Sequence, residues 1–321
     1  MSGPSRAVDV VALGGGHGLA ASLRALRRVT PHLTAIVGVS DDGGSSGRIR
    51  EQLGVVPPGD LRMALAALCG DDEWGSTWAR VLQHRFRSGG DLDGHSLGNL
   101  LITALWEETD DVVSGLDWVA RLLDAHGTVL PLALEPLEIS ARVTTAAGDL
   151  ETVVGQVKVA TTPHDIESIS LSPSNPKPCP QAVAAVLNTD VVVLGPGSWY
   201  TSVLTHFQVP AMFEALHNTP AKRVLVLNLR PQRGETSGYS PERYLDVLVS
   251  SHPDFRLDAV IADPTHVSDV AALHQVTDAM GAHLALMPVS APGESSGVHD
   301  AELLASAFRS VFGHGSIGVW Q

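Results

Sequence analysis

Ala7-Val8-Asp9-Val10-Val11-Ala12-Leu13, followed by Gly14-Gly15-Gly16-His17-Gly18 and a run from Leu19 to Arg28, is the stretch that decides the fold. A mostly apolar run of strand length reads as a strand covered on both faces, because a half-exposed strand would alternate. Behind the Gly-rich turn, Leu19, Leu23 and Leu26 recur at helical spacing and mark a buried helix face. Thr34-Ala35-Ile36-Val37-Gly38-Val39-Ser40 is a second apolar run, so residues 7–40 predict one parallel β–α–β unit. The same rhythm returns later, with strands expected at 190–194, 223–229, 257–262 and 283–287 and a last helix near 301–312.

Between these parts the texture differs. Pro57-Pro58-Gly59-Asp60 announces a helix over 61–68 with Asp60 as its N-cap, and residues 74–125 read as largely helical. Segments 138–143 and 153–159 alternate around Gly148-Asp149, which predicts an antiparallel β insertion over 132–172. The expected architecture is a single α/β domain over 1–321: a doubly wound, mostly parallel Rossmann-like sheet with helices on both faces and a small β-rich insertion.

Composition narrows the function. The 321 residues carry 35 Asp+Glu against 21 Lys+Arg, a formal net charge of −14, which argues against nucleic acid and anionic membranes as partners. No apolar stretch reaches the roughly 18 residues that span a bilayer, and the first run is too short for a signal segment, so the expected location is cytoplasmic, without membrane insertion. Two cysteines allow no disulfide framework and no four-thiolate zinc site, and no His pair has the spacing of HExxH.

Chemistry is expected beyond the carboxyl ends of the parallel strands, where several loops are polar and Gly-rich. Gly15, Gly16, His17 and Gly18 open a helix, whose free N–H groups suit a phosphate; read from Gly16, the string also fits the loose dinucleotide pattern GxGxxA. Asp41 and Asp42 begin a polar loop, Asp-Asp-Gly-Gly-Ser-Ser-Gly-Arg, with Ser45, Ser46 and Arg48. The two acids suit sugar hydroxyls, a Mg²⁺ beside phosphate, or a base, and Arg48 suits a phosphate. Asp60 and Arg62 reach the same crevice or pair with each other. His95 at a helix start and Asn99 one turn on offer a polar pair, and Gly195, Gly197, Ser198, Tyr200, Thr201 and Asn228 line two further loops. Each motif also has a plain structural reading: a tight turn, an Asp-Gly turn, a helix cap.

Six motifs occur in order: Gly-Gly-Gly-x-Gly, Val-Ser-Asp-Asp-Gly-Gly-Ser-Ser-Gly-Arg, Pro-Pro-Gly-Asp-Leu-Arg, Gly-His-Ser-Leu-Gly-Asn-Leu-Leu, Leu-Gly-Pro-Gly-Ser-Trp-Tyr-Thr-Ser and Gly-Glu-Thr-Ser-Gly-Tyr. Over nearly its whole length the chain resembles the gluconeogenesis factor (YvcK-like) family, a branch of the CofD-like superfamily that also holds 2-phospho-L-lactate transferase. The resemblance implies a regulator of carbon use, cell-wall synthesis and cell shape that binds a UDP-sugar, notably UDP-N-acetylglucosamine, and needs no cofactor. The alternative it implies is a nucleotide-dependent phospholactate-type transferase using Mg²⁺ held by Asp41 and Asp42. An NAD-dependent oxidoreductase and a pure interaction scaffold are the remaining readings; nothing specifies or excludes a homo-oligomer. Where relatives carry Leu, Pro-Asn and Arg-His, this chain carries Trp199, Thr205-His206 and Val298-His299.

Overall fold

The computed structural model describes residues 6–293 and 297–313, so both ends of the expected 1–321 span lie outside the described residues. Strand β1 (Val10–Gly14) is buried at every position, which requires cover on both faces of the sheet. It leads into α1 (Gly16–Leu26), then β2 (Leu33–Val37), parallel to β1 in the expected register-locked unit.

The polar loop after β2 is shorter than its composition suggests. Helix α2 (Gly44–Leu53) starts within it, so Ser45, Ser46 and Arg48 stand on a helix, whose end is capped by Gly54 at φ +67. Helices α3 (Gly59–Leu68), α4 (Glu73–Gln83), α5 (Leu97–Thr109) and α6 (Val112–Leu123) follow. Asp60 is not the N-cap of α3; Pro58 occupies that position and Asp60 lies in the first turn.

Strand β3 (Thr128–Pro131) then pairs parallel with β2. The small antiparallel sheet follows in the order β5-β4-β6: β4 (Glu138–Thr144), β5 (Leu150–Val154) and β6 (Asp165–Ser172). Residues 156–160, expected to extend a strand, form the short helix α7 (Gln156–Ala160) because Gly155 turns the chain at φ +104. Helix α8 (Pro180–Leu187) returns the chain to β7 (Val191–Leu194), and a π-turn (Trp199–Val203) and a 3-10 turn (Leu204–Gln208) precede α9 (Pro210–Asn218). The remaining alternation is β8 (Lys222–Val226), α10 (Pro241–Ser251), β9 (Ala259–Ala262), α11 (Val270–Ala279), β10 (His283–Leu286) and α12 (Ala301–Gly313).

The main sheet has seven parallel strands in the order β10-β9-β8-β7-β1-β2-β3. One set of helices, α1 with α3 and α12, packs together, and α8 packs on α9. The fold class expected from sequence is what the chain adopts. Among the described residues no helix is long and apolar enough to cross a membrane.

Candidate functional site

From β1 the chain builds outward through β2 to β3, then returns to the other side of β1 and builds outward again from β7 to β10. Connections leaving β1 and β7 therefore diverge, and in sheets of this kind the ligand crevice is expected between the carboxyl ends of these two strands. The loops after these two strands meet there. A side chain on Gly18 would fall on the Pro196 carbonyl oxygen and the Gly197 Cα, so glycine permits this contact between α1 and the 195–198 loop. Ser22 Oγ donates to the Gly195 carbonyl at 2.8 Å. From the far side Asn228 clasps Gly197, accepting from its N–H and donating to its C=O, each at 2.8 Å. Asn228 thus holds the loop through backbone groups. His17 stands exposed on the first turn of α1.

Gly15, the N-cap of α1, has no side chain to satisfy the helix N–H groups. One of them is met by a carboxylate: Asp60 accepts from the Gly16 N–H. Burial, and then the negative charge of Asp41, push the Asp60 carboxyl up to about 7. Asp41 accepts from the Gly43 N–H at 3.0 Å, and a side chain at Gly59 would lie 2.7 Å from its Oδ2. The two adjacent acids do not converge. Asp42 turns outward to accept from the Val157 N–H at 2.9 Å. The carboxylate facing Asp41 is Asp60, and this corrects the expected Asp41–Asp42 pair.

Beside Asp41, the start of α2 is pinned by a polar cluster. Ser45 Oγ accepts from Asn99 Nδ2 at 3.0 Å and from the Ser96 N–H at 3.3 Å, and lies 3.1 Å from His95 Nδ1. Ser46 Oγ accepts from the same amide at 3.4 Å. His95 precedes α5 rather than starting it, yet Ser45 joins it to Asn99 as the spacing suggested. Asn99 is buried, and its Oδ1 has no partner within the protein. An unpartnered buried acceptor costs about 1–3 kcal/mol, which a bound donor would recover.

Two cations expected in the crevice are engaged elsewhere. Arg62 does not pair with Asp60; its Nη1 donates to Gln83 Oε1 at 2.6 Å and Ser96 Oγ at 2.9 Å. Arg48 donates to the carbonyls of Asp93 at 2.6 Å and Asp91 at 3.4 Å, tying α2 to the loop before α5.

Ser198 begins the π-turn and is half-buried. Tyr200 points away from the crevice, with its hydroxyl 2.8 Å from that of Tyr239 and donating to the Ile166 carbonyl at 3.3 Å. It lines a separate groove of about 880 Å³ with Ile166, Tyr239 and Arg243. Thr201 donates its N–H to Glu235 Oε2 at 3.3 Å. Glu235 is 2% exposed, and burial pushes its carboxyl up to about 7. It carries the start of the π-turn, a role the sequence reading missed although Gly234-Glu235-Thr236-Ser237 was the signal. Trp199 packs edge-on against Tyr244 at 5.4 Å, while His206 sits within 2.8 Å of the Ser202 carbonyl and 3.2 Å of the Ile36 carbonyl, so both departures from the motif are core residues. Val298 is exposed.

Among the described residues no three His, Cys, Asp or Glu side chains gather tightly enough to hold a metal on their own. Asp41 and Asp60 supply two carboxylates, the number typical where Mg²⁺ completes its shell with water and ligand phosphate.

A doubly wound parallel sheet, with two glycine loops meeting facing carboxylates and a Ser–Asn–His cluster at its switch point, defines an α/β protein built around a switch-point crevice. The chain belongs to the 2-phospho-L-lactate transferase CofD family, which matches it over residues 10–285. It is 46% identical to a Mycobacterium leprae protein that bears the gluconeogenesis factor name provisionally, over 97% of this chain and 88% of that one. It is 37% identical to the gluconeogenesis factor of Halalkalibacterium halodurans, over 81% of this chain and 79% of that one. A crystal structure of a UPF0052 family protein from Bacillus halodurans superposes with a TM-score of 0.84 at 30% identity, covering 95% of this chain and 99% of that chain.

Proposed function

We propose that this chain is a cytoplasmic nucleotide-sugar-binding regulator of carbon use and cell-wall synthesis, and thereby of cell shape, with UDP-N-acetylglucosamine the ligand class that suits its crevice. The observation that carries this reading is the meeting of the 14–18 and 195–198 loops at the β1/β7 switch point. Asp60 holds the Gly16 N–H and Asn228 the Gly197 N–H, so a diphosphate would be met by the positive end of α1 and the other N–H groups of its first turn. Asn99, with its unused Oδ1, and Asp41 stand where sugar hydroxyls would donate. Ser45 lies against His95, but it already accepts two hydrogen bonds, which leaves its oxygen a poor nucleophile. That arrangement favours binding over turnover.

One observation favours a second reading, a Mg²⁺-dependent group transfer of the phospholactate type. The facing carboxyls of Asp41 and Asp60 are two hard oxygen donors whose mutual repulsion a divalent cation would relieve. Asp41 and Asp60, not Asp42, would hold it; when bound it would supply charge neutralisation beside phosphate.

Thermal unfolding separates the two readings. Selective binding to the folded state raises stability by about 2.7 kcal/mol at a ligand concentration roughly 100 times Kd. A shift with UDP-N-acetylglucosamine and UDP-glucose, without Mg²⁺ and without turnover, is the expected result. A shift confined to GDP with Mg²⁺ would overturn the regulator reading in favour of transfer, and no shift with any nucleotide would overturn both.

A further inference from the structure

We propose that helix α7 relays the occupancy of the crevice to the β-rich insertion, with Asp42 as the positioning contact. The proposal rests on the reading of the crevice as a nucleotide-sugar site. A helix of five residues has no stability of its own in water, so contacts with the rest of the chain set its order. Those contacts come from three crevice loops. From the loop after β2, Asp42 Oδ1 accepts from the Val157 N–H at 2.9 Å, at the first turn of α7. Gly155 permits this approach: a side chain there would stand 2.5 Å from Asp42 Oδ2. Gly43 lies against the same turn, with a Cβ at its position only 3.1 Å from Val157 Cγ2.

The loop after β8 holds the other end. Gly234, at φ +105, lets its backbone close on the Ala160 carbonyl, which also accepts from the Glu235 N–H at 3.3 Å. The third contact is the π-turn after β7, which touches α7 and whose Thr201 N–H donates to that same Glu235. On its insertion side α7 is anchored by the Gly155 N–H, which donates to Ile139 of β4 at 2.9 Å.

Asp41 and Asp42 therefore share one peptide but serve two bodies, the first facing the crevice and the second holding α7. A ligand that immobilises the loops around Asp41, Ser45 and Gly197 must also reduce the opening of the helix that hangs on them. Asp42 acts through the loop and touches no ligand.

Hydrogen exchange at the Val157 and Glu235 amides, with and without UDP-N-acetylglucosamine and with calorimetry on the same samples, tests the relay. In the unaltered protein, exchange at both amides is expected to slow about tenfold on binding. Asp42→Ala is expected to bind within about threefold of the unaltered protein yet lose that ligand-dependent slowing, while Asp42→Asn, which keeps an acceptor, restores it. Binding without any change at Val157 and Glu235, or an undiminished response in Asp42→Ala, would overturn the relay while leaving the binding site intact. Absence of binding in the calorimeter would overturn the crevice reading and the relay with it.

Discussion

Asp60→Asn is expected to stabilise the fold at pH 8 while weakening the site. The carboxyl has an ordinary value of 3.8 and stands at about 7 in the folded chain, raised first by burial and then by Asp41. A raised carboxyl makes the folded state hold a proton that the unfolded state has released. Stability is therefore fully present below pH 4 and drains away as pH climbs towards 7. The shift corresponds to about 2–4 kcal/mol at pH 8, once the partly open position of Asp60 is allowed for. Asparagine removes that penalty and keeps an acceptor for the Gly16 N–H. A gain in melting temperature of roughly 3–6 °C follows for a chain of this size.

The pH profile sharpens the test. Glu235 at about 7 acts in the same direction as Asp60, whereas buried His206 and His299, each lowered to about 4 by burial, act in the opposite one. Between about pH 5 and 6.5 these four groups nearly offset one another. Removing the Asp60 carboxyl leaves the two histidines ahead, so the variant's stability should rise with pH across that window. Urea midpoints at pH 5, 6.5 and 8 measure this; a variant no more stable than the parent at pH 8 would show that Asp60 carries no buried charge.

Gly18→Ala has the largest expected cost. The added methyl would strike the Pro196 carbonyl and the Gly197 Cα, both backbone, so relief requires moving α1 or the 195–198 loop that Asn228 clasps. Overpacking of this kind costs on the order of 3 kcal/mol. Nucleotide affinity should fall with it, because the two loops would no longer face one ligand. Gly89→Ala, where a Cβ meets nothing within 4 Å, is the matched control and should stay within about 0.5 kcal/mol of the parent. Calorimetric unfolding of both variants checks the difference; equal stability would mean that the close approach of α1 and the loop is not a constraint.

The sheet was legible because parallel strands buried on both faces appear as continuous apolar runs, as at Val10–Gly14 and Val191–Leu194. Elements whose local preference is overruled by distant partners were not legible. Gly44–Leu53 contains few helix formers at its start and is held by Ser45 and Ser46 meeting Asn99, more than fifty residues away. Val153 to Val159 alternates like a strand, but Gly155 turns the chain and Asp42 captures the Val157 N–H. The loops of the site could be named from their glycines, whereas the partner of Asp41 could not. That partner depends on where α3 begins, and Asp42 is turned away by its bond to the Val157 N–H, more than a hundred residues on. Glu235 escaped for a similar reason, since only the folded chain brings it beneath Thr201.

The most direct measurement of the central claim is a crystal structure of the protein with UDP-N-acetylglucosamine. The diphosphate is expected at the first turn of α1, where the 14–18 and 195–198 loops meet, with the sugar towards Asn99 and Asp41. Ligand lying instead in the groove beside Tyr200, Tyr239 and Arg243, or a crevice left empty at saturating ligand, would contradict it.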